Sequence, residues 1–276
     1  MEFRSYGDAK GKLVFYFHGA PGAMEEAQFL DAAAKRHHLN ILCLHRFSID
    51  SEILDNAYHQ LLADKIVMHM TTHESQPQYV DLIGFSIGSH VVLEVAKCLA
   101  DKVGQVHLVS CAAPLDAGDF LPHMAGKPVF QLAQKAPSVL SLLTFWQFLL
   151  IKLSPRLVFN MLFASAQGRD QDLVSDGGFQ SSITQVLATC FTHDRAGYVR
   201  DVISYSQPWQ HRLSGFDAAI HLWHGSADNW SPLSMAQLLE SSLPNCQGKY
   251  VLEGASHYSC LLEAADQICQ TIVERS

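Results

Sequence analysis

Short apolar segments recur along this chain, and between them lie longer segments in which apolar residues return at helical spacing. The short segments are rich in β-branched and aromatic residues, so they predict strands rather than helices. Strands that alternate with helices, and that are apolar throughout, are typical of a parallel sheet covered on both faces. We therefore predict an α/β fold. Its predicted strands span residues 13–17, 41–44, 80–83, 106–109, 219–223 and 250–252, and its clearest predicted helices span 24–36, 52–70, 91–100 and 233–242.

The alternation stops between about residues 115 and 210. This stretch is mostly helical in pattern, is interrupted by prolines and contains no clear strand. The strand pattern then resumes at Ala219. We therefore predict an α/β core made of residues 1–114 and 211–276, with a helical cap inserted at 115–210.

One segment of the predicted cap, residues 139–151 (VLSLLTFWQFLLI), is apolar at nearly every position. A membrane-spanning helix needs about 20 such residues, and Lys152 and Arg156 end this segment early. Three alternatives stay open for it: a helix packed in the protein interior, a lining for a hydrophobic substrate, or a surface that touches a membrane. The sequence predicts no membrane span.

Composition narrows the class of protein. Of the 276 residues, 48% are hydrophobic and only 17% are charged, which excludes a disordered chain. The formal net charge is −8 without any run of Lys or Arg, which argues against nucleic acid or an anionic membrane surface as the main partner. The seven cysteines form no CxxC pair, so no metal site or redox motif is indicated. The N-terminal residues lack an apolar signal core, so we expect a cytoplasmic protein, either a monomer or a homodimer.

The sequence GFSIG places Ser86 between two glycines, after a predicted strand and before a predicted helix. A tight strand-to-helix turn lifts a serine above the edge of the sheet and leaves no room for side chains at Gly84 and Gly88. Free backbone N–H groups at the start of the helix then face incoming negative charge. This context favours a nucleophilic serine over the alternative, a glycine-flanked turn that only packs the helix against the sheet.

Three further motifs follow predicted strands, and with them the chain resembles the α/β-hydrolase family over nearly its whole length. They are HGAPG at 18–22, HGSADNWSP at 224–232 and EGASHYS at 253–259. The resemblance implies an oxyanion loop in the first, a catalytic acid in the second and a catalytic histidine in the third, in the family's order of Ser, Asp and His. It also implies the α/β-hydrolase fold, a mostly parallel sheet flanked by helices.

The roles that this resemblance implies fall on five residues. Ser86 is the nucleophile, His257 its general base, and Asp228 the acid that orients the imidazole. The backbone N–H groups of Ala20 and Ile87 would form the oxyanion hole. No metal and no organic cofactor is expected for such a site.

Several features leave alternatives open. Asp116 could be the acid, because some family members carry it after the preceding strand. Only about twelve residues precede Leu13, so we expect one short strand there instead of the family's usual antiparallel pair.

HGxPG also occurs in proline iminopeptidases, which bind a free amino terminus through carboxylates of the cap. The acidic residues that could do this are Asp170, Asp172, Asp176 and Asp194.

The function expected from these observations is that of a serine hydrolase. It would cleave a carboxylic ester of a small, hydrophobic substrate through an acyl-enzyme on Ser86, with Phe145, Trp146 and Leu149 of the cap contacting the substrate. An aminopeptidase or amidase on the same triad is one alternative, and a hydroxynitrile lyase is another. A third is a hydrolase-fold protein that has become a non-catalytic receptor for a small molecule.

Overall fold

The structure is a computed structural model that describes residues 2–215 and 217–274. Seven strands in this part of the chain form one sheet in the order β1-β3-β2-β4-β5-β6-β7. β1 lies antiparallel to β3 at one edge, and all other neighbours are parallel. The strands are β1 (Phe3–Gly7), β2 (Lys12–Phe17), β3 (Leu39–Leu44), β4 (Val80–Phe85), β5 (Val103–Val109), β6 (Ala219–Gly225) and β7 (Cys246–Leu252).

The central strands are buried along their length, as their continuous apolar sequences require. Every residue of β3 and β4 is buried, because helices cover the sheet. The predicted α/β fold with a mostly parallel sheet is confirmed. The single short strand expected before Leu13 is β1, and it adds only one antiparallel edge.

Helices connect the parallel strands. The 3₁₀ turn Met24–Leu30 leads into α1 (Asp31–Arg36), so the helix predicted at 24–36 begins as 3₁₀. The other helices of the sheet layer are α2 (Asp55–Thr72), α3 (Gly88–Leu99), α10 (Leu233–Ser242) and α11 (His257–Glu274). α2 packs against α3, and α1 packs against α11.

Between β5 and β6 the chain forms a helical insertion with no strand among its described residues. Its helices pack on one another and contact the turns after β2 and β3. They are α4 (Lys127–Lys135), α5 (Pro137–Leu153), α6 (Pro155–Leu162), α7 (Asp170–Leu173), α8 (Gly177–Thr192) and α9 (Arg195–Ser206). None of the helices described here is long and apolar enough to cross a membrane.

The topology brings the sequence motifs to one edge of the sheet. Because β2, β4, β6 and β7 run parallel, their carboxyl ends meet on the same side. HGAPG, GFSIG, HGSADNWSP and EGASHYS each begin at or follow one of those ends. In open α/β sheets that edge is where ligands bind.

Candidate active site

Ser86 occupies a strained turn between β4 and α3. Its φ is +55°, a left-handed conformation that non-glycine residues rarely adopt. A Cβ atom on Gly84 would lie 2.5 Å from Val92 Cγ1, and one on Gly88 would lie 2.2 Å from the carbonyl oxygen of Phe17. Both glycines are therefore required by close approach of neighbouring atoms, and the turn directs the serine out of the sheet.

Asp228 and His257 form a buried pair beyond the ends of β6 and β7. Asp228 Oδ2 lies 2.8 Å from His257 Nδ1. The other carboxylate oxygen accepts the backbone N–H groups of Trp230 (2.8 Å) and Ser231 (2.9 Å). Because an ionised carboxylate can only accept, Nδ1 carries the proton and Nε2 keeps a free lone pair. That is the tautomer a general base needs.

Two opposing effects act on the pKa of each member of this pair. Burial alone would raise the pKa of Asp228, but the charge and hydrogen bond of His257 hold it below its usual value. Burial alone would lower the pKa of His257, but the charge and hydrogen bond of Asp228, together with the charges of Asp170 and Glu26, raise that pKa above its usual value. The site therefore holds an ionised carboxylate that stabilises an imidazolium.

The imidazole of His257 contacts two aromatic rings. Its centroid is 4.8 Å from that of Phe85 and 5.1 Å from that of Trp230, which stacks on it at 26°. Ser86 Oγ makes no hydrogen bond to His257 in the described structure. Such catalytic hydrogen bonds are often long without substrate and tighten when it binds. Ser86 and Trp230 line the same cavity, so the GFSIG and HGSADNWSP motifs both contribute to its wall.

The two backbone groups predicted for the oxyanion hole also border this cavity. Ala20 and Ile87 line it beside Ser86, and neither N–H has a hydrogen-bond partner within residues 2–215 and 217–274. The N–H of Gly19 is already used, because it donates to Glu26 Oε1 at 2.7 Å. That leaves Ala20 as the donor that the oxyanion loop can offer, since Pro21 has no N–H.

Glu26 hydrogen-bonds the HGAPG loop, a contact that the sequence analysis does not predict. It is fully buried, and its Oε1 accepts both the Gly19 N–H and the Tyr16 hydroxyl, the latter at 2.9 Å. The Tyr258 hydroxyl lies 3.5 Å from its other oxygen. Burial raises the pKa of Glu26 to about 7 against the lowering effect of these donors. In the sequence it is one acidic residue in a helical pattern, so nothing marks it as buried.

A second buried polar cluster joins the helical insertion to the same loop. Arg46, after β3, is fully buried and donates to the carbonyl oxygen of His18 at 2.7 Å. It also pairs with Asp201 of α9. Arg200 donates twice to the other oxygen of Asp201, both at 2.9 Å. The insertion is thereby connected to the HGAPG loop that follows β2.

The cavity at this edge has a volume of about 260 Å³. Its walls come from the oxyanion loop, the turn at Ser86 and the helices of the insertion, and they are mostly aliphatic or aromatic. Among the described residues that line it, none carries a charge. Polar groups are few, namely Gln147, Ser165 and Tyr198 besides the serines of the site motifs.

Three cap residues expected to contact substrate need correction. Phe145 and Trp146 are 40% and 56% exposed, and neither they nor Leu149 line the cavity. Gln147 and Leu150 of the same helix line it instead. The physical reason is helical phase: α5 is apolar on nearly every side, so its sequence does not reveal which side faces inward.

The other candidate acids make no hydrogen bond to the imidazole of His257 in the part of the chain that the structure describes. Asp116 accepts the backbone N–H groups of Trp209 (3.1 Å) and Gln210 (3.3 Å). The four acidic residues considered for an amino terminus do not line the cavity either. Asp170 binds the N–H groups of Tyr258 and Ser259, Asp172 lies on α7, Asp176 caps α8, and Asp194 pairs with His45.

A model of the Alpha/beta hydrolase family matches residues 14–271. MenH from S. aureus is similar in structure, with 14% identity, a TM-score of 0.67, and coverage of 100% of this chain and 97% of that one. The esterase EaEST from Exiguobacterium antarcticum has 13% identity, a TM-score of 0.66, and coverage of 99% and 93%. The enol-lactonase from Burkholderia xenovorans LB400 has 13% identity, a TM-score of 0.64, and coverage of 99% and 95%. At these identities the likeness concerns the fold alone, and a comparison with curated proteins gives no match.

Proposed function

The chain belongs to the alpha/beta hydrolase family, and from that premise we propose that it is a serine hydrolase that cleaves carboxylic esters through an acyl-enzyme on Ser86. The observation that carries the proposal is the buried pair of Asp228 and His257, joined at 2.8 Å at the same sheet edge as a serine in a strained turn. Such a pair supplies a correctly oriented base, which is what a serine hydroxyl lacks at neutral pH.

The chemistry proceeds in two halves. Ser86 Oγ attacks the ester carbonyl while His257 Nε2 takes its proton, and the N–H groups of Ala20 and Ile87 stabilise the oxyanion. The imidazolium, stabilised by Asp228, gives that proton to the leaving alcohol as the carbon–oxygen bond breaks. Water then attacks the acyl-enzyme by the same route, with His257 as base and Ser86 as leaving group.

The cavity supports an apolar acyl group as the substrate's main recognition element. Its volume of about 260 Å³ is small for a ligand pocket, and its lining in the described structure carries no charged side chain. An aminopeptidase must bind a substrate ammonium, and an unpaired ammonium in such a cavity would lose its hydration without compensation. The absence of a carboxylate among the described lining residues therefore favours an ester over a peptide with a free amino terminus.

A fluorophosphonate probe tests the proposal without needing the right substrate. We expect intact-protein mass spectrometry to show a single adduct on wild type and none on Ser86→Ala. Ser165→Ala is the matched control, because Ser165 lines the same cavity outside the proposed triad, and it should be labelled like wild type. An adduct that persists in Ser86→Ala would assign the nucleophile elsewhere.

Hydrolysis of a soluble p-nitrophenyl ester completes the test. Ser86→Ala and His257→Ala should each lower kcat by at least about a thousandfold while the fold survives, because the residues of a triad act as a unit. A folded wild-type protein that neither labels nor hydrolyses would instead support the alternative of a small-molecule receptor built on this fold.

A further inference from the structure

The outward side of α5 is apolar although it faces solvent. Leu142, Trp146 and Leu153 are 56%, 56% and 82% exposed, and Phe145 is exposed beside them. Counted from Leu142, the apolar residues occur at i, i+3, i+4, i+7 and i+11, which places them on one side of the helix. We call this the α5 outer face: Val139, Leu142, Phe145, Trp146, Leu149 and Leu153.

Exposed apolar residues also occur on α6, which packs against α5 and reaches the cavity. Leu157 and Met161 are one helical turn apart and are exposed, Met161 to 59%. Met161 also lines the cavity that contains Ser86. Exposed apolar residues of α5 and α6, two helices in contact, therefore lie near the wall of the cavity, to which Gln147 and Leu150 on the flank of α5 also contribute.

Cations lie near both ends of α5 although the chain as a whole is acidic. Residues 120–169 contain no Asp or Glu but five cations, Lys127, Lys135, Lys152, Arg156 and Arg169, in a chain of net charge −8. Lys135 and Lys152 stand at the two ends of α5, and Arg156 follows at the start of α6. Within the described structure these three exposed cations form no ion pair.

We propose that the α5 outer face docks the protein onto a bilayer that carries anionic phospholipid and that the cavity takes its ester from that bilayer. The second half of this proposal rests on the proposed esterase function. A helix with Trp, Phe and Leu on its exposed side and Lys or Arg at its margins is typical of one that lies in the membrane interface. The net charge of −8 argues against an anionic surface as a partner for the molecule as a whole. It does not describe residues 120–169, which contain cations but no Asp or Glu.

The same charges argue against a second copy of this chain as the occupant. Symmetric pairing through the α5 outer face would bring the cations of both copies together without an acidic residue from either 120–169 segment. An anionic bilayer instead attracts each nearby Lys or Arg. The apolar side chains add the burial that electrostatic attraction alone does not provide.

Vesicle flotation of the full-length chain tests the docking. We expect wild type to float with mixed phosphatidylcholine and phosphatidylglycerol vesicles and to bind at least about tenfold more weakly to phosphatidylcholine alone. Leu142→Glu/Leu153→Glu should lower binding to the mixed vesicles by more than about tenfold. The matched control is Leu54→Glu/Met68→Glu, which adds the same charges at exposed apolar residues, 52% exposed each, on α2 or just before it, and should bind like wild type.

Several outcomes would overturn the docking. They are a wild type that stays off the mixed vesicles, an outer-face variant that binds as wild type does, and a control that loses binding equally. Light scattering that shows a wild-type dimer split by Leu142→Glu/Leu153→Glu would make the occupant a second copy. Equal binding to both kinds of vesicle would overturn the requirement for anionic lipid.

Hydrolysis measurements separate this proposal from the proposed function. Leu142→Glu/Leu153→Glu should hydrolyse a soluble short-chain ester like wild type but lose at least about tenfold on an ester embedded in mixed vesicles. Ser86→Ala should bind vesicles normally and hydrolyse neither ester. Binding without any hydrolysis in wild type would overturn the esterase and leave the docking intact. Hydrolysis of soluble esters without vesicle binding would overturn the docking and leave the esterase function intact.

Discussion

At the residue scale, the charge of Asp228 raises the pKa of His257 above its ordinary value of 6.5 although burial opposes this. The base must be neutral to take the proton of Ser86, so activity is lost as the pH falls through this pKa. We predict that the acidic limb of the pH profile of kcat/KM lies above pH 6.5. A profile that stays flat to well below that pH would contradict the role of His257 as base.

The acid partner can be tested in the same measurement. Asp228→Asn removes the charge that raises the pKa of His257, so the acidic limb should move to lower pH while kcat falls by about ten-thousandfold. Asp116→Asn is the control, because Asp116 binds the backbone of Trp209 and Gln210. A dead Asp116→Asn beside an active Asp228→Asn would reverse the assignment.

At the scale of elements, a buried ionic cluster holds α9 of the insertion against the turn after β3. Asp201 faces the guanidinium groups of both Arg46 and Arg200, and Tyr58 packs against Arg200 at 3.8 Å from its ring centroid. Removing one carboxylate would leave two buried cations without compensation. The contact between the insertion and the oxyanion loop therefore depends strongly on Asp201.

Chemical denaturation measures this dependence. We predict that Asp201→Asn lowers the free energy of unfolding by about 3–5 kcal/mol. The matched control, Asp266→Asn, removes an exposed carboxylate of α11 that pairs with Arg36, and it should change stability little. An Asp201→Asn variant as stable as that control would show that the cluster does not fix the insertion.

At the scale of the whole molecule, the cavity closed by the core and the insertion sets a limit on substrate size. We predict that kcat/KM for p-nitrophenyl alkanoates rises by up to about fourfold per methylene, as expected for burial of about 0.8 kcal/mol each. It should then fall when the chain exceeds the cavity of about 260 Å³.

A charged acyl group provides the comparison for that series. A hemisuccinate ester of similar length should react much more slowly, because the described lining offers no cation to pair with its carboxylate. Best turnover with a charged or strongly polar acyl group would contradict an apolar acyl site.

The positions of the site motifs could be predicted because they depend on local sequence and on one topological rule. GFSIG needs a turn that admits only glycine at Gly84 and Gly88, and parallel strands bring their carboxyl ends to one edge. The strands themselves follow from continuous apolar runs. For these reasons the sheet and the loops that meet around Ser86 follow from the residues alone.

Other features depend on contacts between residues far apart in the chain. Glu26 is buried by Tyr258, and Arg46 meets Asp201 across the boundary of the insertion. Each residue looks like an ordinary surface charge in its own segment. Because α5 is apolar at nearly every position, its sequence does not show which side of the helix faces the interior. Only the tertiary packing places Gln147 at the cavity and Trp146 in solvent. Periodic burial produces a periodic pattern of apolar residues in a sequence. Pairing between residues that are distant in the chain produces no such pattern, and neither does the orientation of a helix that is apolar on nearly every side.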